Sequence, residues 1–206
     1  MDAALDLMWE ESYGAVTIDD ICKRADVKKG SFYYFFASKA ELAVAALERM
    51  WEQEWQPKLD RLFSPSLEPV PRMIAYLEGI YHIHTELKAK HGKVLGCLVC
   101  SVGSEVSTQE IDVSAKIREI FARKRRYYES TIRDAMAAGA IDPGDAAQKT
   151  LALVGLIEGM VSQARIMNDP EVLRELPAMA LALLGVKPSA IPVSVPASAA
   201  PAIAAR

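Results

Sequence analysis

The chain has 206 residues, 51% hydrophobic and 25% charged, with 24 Lys and Arg against 27 Asp and Glu for a formal net charge of −3. That length allows one large or two small domains, and the charge balance is not that of a general nucleic-acid binder. Three cysteines make no disulfide framework, no secretory signal precedes the first helix, and no apolar run reaches the roughly 18 residues that span a bilayer. A cytoplasmic protein with no membrane partner is expected.

Residues 3–12 read as a first helix, with Leu5, Met8, Trp9 and Ser12 inward and Gly14 ending it. Thr17 is the N-cap of a second, which runs to about 24. Ile18, Ile21, Cys22 and Ala25 give it one apolar face. Val16 and Ile21 stand where a hydrophobic staple would sit, and Asp20 completes a capping box. Residues 25–27 turn. The third helix, 28–35, starts with Lys28, Lys29, Gly30 and Ser31, then carries Phe32, Tyr33, Tyr34, Phe35 and, just past it, Phe36. Its small, cationic first turn is the end that a recognition helix points into a DNA major groove, where helix N-termini also favour phosphate. Lys29 and Ser31 would reach base edges, Gly30 would let the backbone come close, and the Tyr hydroxyls and Lys ammonium groups would hold phosphates. Phe32 and Phe35 would pack into the small core. Ser38-Lys39-Ala40-Glu41 is a capping box for a fourth helix, to about 55, which Pro57 kinks or breaks. Residues 1–48 hold nine Asp and Glu and only five cations, Lys23, Arg24, Lys28, Lys29 and Lys39, all clustered about the proposed face.

Residues 63–71 form a loop with three prolines, with the domain boundary just before it, near residue 50. Beyond it every signal is helical. Residues 72–90 carry Met73, Tyr76, Leu77, Ile80, Tyr81 and Leu87 and close at Gly92. Residues 95–106 are short and almost wholly apolar. Residues 111–138 are amphipathic and end at Gly139. Asp142-Pro143 starts a helix to about 167; Asp169-Pro170 starts the last, which Pro177 bends and Gly185 ends. Residues 186–206, rich in Ala, Pro, Ser and Val, read as a disordered tail. The fold expected is all-α: a helix-turn-helix head over 1–48, a helical body over 49–185, and the tail.

The head resembles the DNA-binding domain of the TetR family of transcriptional regulators. That family's run, T-x-x-x-I-A-x-x-A-G-V-S-x-G-x-x-Y-x-x-F-x-x-K-x-x-L, is met by Thr17, Ile21, Ala25, Val27, Gly30, Tyr33, Phe36, Lys39 and Leu42. Cys22, Asp26 and Lys28 replace its usual Ala, turn Gly and cap Ser. Asp tolerates unusual backbone angles better than most residues. The family usually carries a basic arm before the first helix, which has no counterpart in these residues. The resemblance implies double-stranded DNA contacts from Thr17, Lys28, Lys29, Gly30, Ser31, Tyr33, Tyr34 and Lys39. It also implies a homodimer, a small-molecule effector bound in the body, and repression as the usual outcome. A two-fold dimer implies a palindromic operator with half-sites about a helical turn apart.

The last two long helices are apolar around more than one face. A dimer through Leu153, Leu156, Ile157, Met160, Leu176, Met179 and Leu183 would bury the second face; a purely intramolecular core is the alternative. The Gly96-Cys97-Leu98 segment resembles one TetR branch whose members include regulators responding to reactive electrophiles or small unsaturated acids. A redox or electrophile sensor acting through Cys97 therefore competes with ordinary buried cysteines. An effector pocket would be lined from Met73, Tyr76, Tyr81, His84, Cys97, Tyr128, Glu158 and Met160. An effector there would favour a head spacing that no longer fits DNA. Glu158 shares a face with Arg165, as a pocket group or an interface ion pair. The run at 123–126 reads as a solvated basic face. His82, His84 and His91 with Cys97 and Cys100 reproduce no ligand spacing, so no metal and no cofactor are expected. Cys97 and His84 are the one conceivable catalytic pair, with nothing to place them together, so no enzyme is expected. An interaction module that has lost DNA binding is the remaining alternative.

Overall fold

The computed structural model describes residues 1–192, so most of the expected tail, 193–206, lies outside the described residues. The elements are α1 (Asp2–Glu10), α2 (Ile18–Arg24), α3 (Lys29–Phe35), α4 (Lys39–Met50), α5 (Gln56–Leu62), α6 (Pro69–His91), α7 (Leu98–Val106), α8 (Ile111–Ala137), α9 (Ala146–Met167) and α10 (Leu176–Leu184). The described chain is all-α; its one β-type pairing is an isolated antiparallel bridge between Ile141 and Val186.

Two units form, and they do not follow a single cut near residue 50. One holds Met1–Gln56 with Cys97–Ala122; the other holds Pro57–Gly96 with the described residues from Arg123 on. In the first, Ala4, Leu5, Leu7 and Met8 of α1 are buried, with Ile21, Cys22 and Phe32 of the next two helices and Leu42, Ala46, Leu47 and Met50 of α4. The apolar residues of α7, Leu98, Val99, Val102 and Val106, are buried as well, and α7 packs on α1. Lys116 of α8 reaches Glu48 of α4 at 2.8 Å. In the second unit α10 packs on α6 and α9. Phe63 lies against the rings of Tyr76, Tyr127 and Tyr128, 5.1–5.8 Å between centroids. Arg72, almost wholly buried, pairs with Asp134 and donates to the Ser64 carbonyl, tying down the proline-rich loop.

Local chemistry sets the ends. Thr17 and Asp20 form the expected capping box. Asp26 adopts φ 52°, the left-handed conformation that the TetR pattern gives to glycine. Gly92, Gly139 and Gly185 close α6, α8 and α10 with φ 73°, 72° and 72°. Pro57 does not end the helical run; it lies in the first turn of α5. A π-helical turn at Trp51–Trp55 precedes it and absorbs the missing N–H. The cap of α9 is Asp145, which accepts from Ala147 and Gln148, rather than Asp142-Pro143. Asp169-Pro170 opens a 3₁₀ turn, and Pro177 lies in the first turn of α10, where proline is tolerated, instead of bending it. The start of the expected tail is ordered: Lys187 donates to the Ala140 carbonyl, and Pro188–Ala190 make a 3₁₀ turn. Among the described residues only α9 is long and apolar enough to cross a bilayer by composition; Lys149 and Glu158 interrupt it, and its inner residues, among them Leu153, Ile157 and Ala164, are core.

Asp26 supplies a test of this local reading. Asp26→Val should cost about 1–2 kcal/mol, the penalty of a left-handed conformation for an ordinary side chain, whereas Asp26→Gly should be neutral or stabilising. Urea denaturation of both variants measures the difference.

Candidate nucleic-acid interface

The third helix is short, and its wheel sorts its residues cleanly. Phe32 alone is buried; its ring meets Phe36, 6.0 Å away, through the i, i+4 contact. Lys28, Lys29, Gly30, Ser31, Tyr33, Tyr34 and Phe35 are exposed. The expectation that Phe35 packs beside Phe32 is therefore corrected: Phe35 is 68% exposed, edge-on to Tyr34, itself 82% exposed. Phe36, the Phe of the TetR pattern, takes the inward place. Nothing lies within 4 Å of where a Gly30 side chain would begin, so the backbone there is open to close approach.

Two residues expected at the interface are committed elsewhere. Thr17 spends its hydroxyl on the capping box with Asp20. Lys39 donates to the carbonyls of Tyr13 at 2.7 Å and Val16 at 2.9 Å, with its ammonium 4.3 Å above the Tyr13 ring. Burial lowers the Lys39 pKa, against the opposing pull of Glu110 and Glu105. Two of the three Lys39 donors thus hold backbone carbonyls of the preceding corner. Lys29 pairs with Asp19 at 2.8 Å, which raises its pKa. Both are exposed, so the pair is weakly held.

The second unit carries a polar cluster in an apolar setting. Tyr76 and Tyr128, both buried, share a hydroxyl–hydroxyl bond. Lys124 reaches Glu158 at 3.4 Å, with side chains 14% and 18% exposed. This corrects the solvated reading of residues 123–126 at Lys124, whose ammonium pairs with Glu158. Burial pushes both Tyr pKa values up, while Lys124 opposes it. His84 is buried, with Nδ1 2.7 Å from the Ile80 carbonyl, and burial lowers its pKa from 6.5. Tyr81 does not join the cluster: its hydroxyl donates to Glu171 at 2.7 Å and accepts from Arg174 at 2.9 Å, on the exposed side. Met73 lines a separate small apolar cleft with Val70, Ile132 and Leu181. Met160 is buried. Cys97, half-buried, belongs to the first unit.

Leu153, Ile157, Met160 and Leu176, expected at a subunit contact, are buried within the chain and so serve its own core. Leu156 is half-buried. Met179 and Leu183 are 47% and 45% exposed, joined by Leu151 at 60%.

Residues 1–46 match the family described as bacterial regulatory proteins, tetR family. Residues 69–179 match the tetracyclin repressor-like C-terminal domain. The transcriptional regulator AcuR of Cereibacter sphaeroides is 31% identical over 140 residues, 68% of this chain but only 62% of that protein. The HTH-type transcriptional repressor NemR of Escherichia coli is 27% identical over 172 residues, 81% of this chain and 82% of NemR. A crystal structure of a regulatory protein TetR from Rhodobacter sphaeroides superposes with a TM-score of 0.75 at 29% identity, over 87% of this chain and 93% of the other.

Two measurements test the body cluster. Lys124→Ala should destabilise by about 2 kcal/mol, less than the roughly 3–5 of a fully buried broken pair because both side chains keep some water; pairing Lys124→Met with Glu158→Leu should recover much of the loss in urea midpoint. His84 supplies a pH dependence. Its folded pKa lies below its unfolded value of 6.5. The unfolded chain therefore binds the extra proton first, and stability falls as pH drops through that value. His84→Gln should show a smaller fall in urea midpoint between about pH 7.5 and about pH 5.5, a window around the ordinary imidazole value.

Proposed function

The chain belongs to the TetR family of bacterial regulatory proteins, and from that premise we propose that it is a transcriptional regulator that binds a palindromic operator as a homodimer and is released by a small molecule. The observation that carries the DNA contact is the continuous exposed row Lys28, Lys29, Gly30, Ser31, Tyr33 and Tyr34 on α3 and its cap. Two cations, an open glycine backbone and two phenols serve base edges and phosphates from one short helix. Phe35 extends that row with an apolar surface suited to sugar or methyl groups.

The dimer contact is assigned to the outer faces of α9 and α10: Leu151, Leu156, Met179 and Leu183, with Gly155 and Gly159 where nothing lies within 4 Å of an added side chain. Glycines there allow two helices to approach closely. The effector is assigned to the body, at Tyr76, His84, Lys124, Tyr128 and Glu158, whose polar groups would otherwise be costly in an apolar core. Repression is the sign proposed, in keeping with the relative named a repressor. Such a regulator works in the cytoplasm, on DNA. A thiol sensor at Cys97 is a second reading, favoured by the position of Cys97 as the N-cap residue of α7.

Selection of bound duplexes from a random pool tests the reading. One palindrome should be enriched at low salt, and enrichment should vanish for Lys29→Ala/Tyr34→Ala while the thermal midpoint stays unchanged. No enrichment by the wild-type chain would contradict it. Leu151→Glu/Leu183→Glu should sediment as a monomer and bind the palindrome far more weakly than the wild type.

A further inference from the structure

Between α1 and α2 the chain turns through Tyr13–Val16, and backbone outside a helix needs partners for its polar groups. Two side chains from distant helices supply them. The amides of Tyr13 and Gly14 donate to Oε2 and Oε1 of Glu105 at 2.9 and 2.7 Å. The carbonyls of Tyr13 and Val16 accept from Lys39. One carboxylate thus takes two successive amides, and one ammonium takes two carbonyls, on the same four-residue corner. Glu105 comes from α7, 92 positions from Tyr13 in sequence.

Gly14 belongs to the same arrangement. Its φ is not positive, so glycine is not required by the turn. A Cβ there would stand 2.6 Å from Glu105 Oε1. The missing side chain is what lets the carboxylate reach the backbone. Glu105 itself is exposed. Its two bonds compete with water, so they hold the corner without making it unbreakable. The corner leads straight into Thr17, the cap of α2, and α2 packs on α3.

We propose that Glu105 is a positioning residue for operator recognition: it fixes the α1–α2 corner to α7 and so sets where α2 and α3 stand, without touching DNA. Residue 105 falls inside the match to the C-terminal domain of the family, 69–179, yet its helix packs in the unit that holds α1–α4. The sequence that the family assigns to the body therefore supplies a strut of the head. This inference rests on the DNA-binding reading above.

The test uses the enriched palindrome, copies with the half-site spacing changed by one base pair, and a duplex with a single half-site. The wild-type chain should discriminate against the altered spacings. Glu105→Ala should reduce that discrimination by roughly tenfold, the equivalent of one hydrogen bond to a charged group. Gly14→Ala, which pushes the carboxylate off, should do the same, and the double variant should be no worse than either alone. Glu105→Gln, keeping one acceptor, should fall between. Single-half-site affinity and thermal midpoint should stay near wild type. Undiminished discrimination in Glu105→Ala and Gly14→Ala would overturn the proposal, and so would a parallel fall in single-half-site affinity, which marks general damage to the head. A wild-type chain that enriches no palindrome would remove the DNA-binding reading and this inference together.

Discussion

Lys39 and Glu105 converge on a corner of four residues, and the head depends on it. A short helix such as α3 has little stability of its own. Its position is inherited from α2, and that of α2 from the corner that Thr17 leaves. Lys39 gives up part of its hydration to hold two carbonyls, a role that a partly buried ammonium fills only when its donors are used. Glu105 answers from the opposite polarity. Ion pairs between Arg24 and Glu10 and between Arg49 and Asp2 brace α2 and α4 on α1, at exposed or half-exposed sites where each adds little alone.

The body follows a different rule. Among its buried or half-buried polar groups, some pair with another side chain, Arg72 with Asp134, Tyr76 with Tyr128, Lys124 with Glu158, and others such as His84 and Thr150 bond backbone carbonyls. Such groups are costly when one partner is lost, and better-packed apolar residues would often serve stability as well. Arg72 uses its charge to tie down the loop at Ser64, whereas the Tyr76–Tyr128 and Lys124–Glu158 pairs hold no loop in this way. α9 divides its surface in the same spirit, with Leu153, Ile157 and Ala164 turned inward and Leu151 and Ile166 outward.

Much of this was legible in the sequence because local rules decided it. The capping box at Thr17, the left-handed Asp26 and the glycine stops at 92, 139 and 185 each follow from backbone chemistry within four residues. The failures share a cause: a local signal admitted two outcomes and packing chose. Phe35 and Phe36 both sit near Phe32 in spacing, and the i, i+4 partner is the one that meets its ring, half-buried, while Phe35 stays exposed. Pro57 was a breaker until a π-helical turn accommodated it. An apolar helix does not announce which of its faces is core, so four of the seven expected interface residues proved internal. Lys124 looked solvated amid a basic run because its partner, Glu158, is 34 residues away. Lys39 matched the family pattern without revealing that it also holds the carbonyls of Tyr13 and Val16. Glu105 left no local trace at all, since its partners are backbone amides more than ninety residues earlier; Gly14, a glycine with no conformational need for being one, was the only hint.

Residue-resolved amide hydrogen exchange at Tyr13 and Gly14 tests the central claim most directly. If Glu105 holds the corner, both amides exchange slowly in the wild-type chain, and roughly tenfold faster in Glu105→Ala, while amides in the middle of α4 keep their protection. Exchange at Tyr13 and Gly14 at the same rate in both proteins would mean that the carboxylate does not bear on the corner, and the account of how the head is positioned would fail.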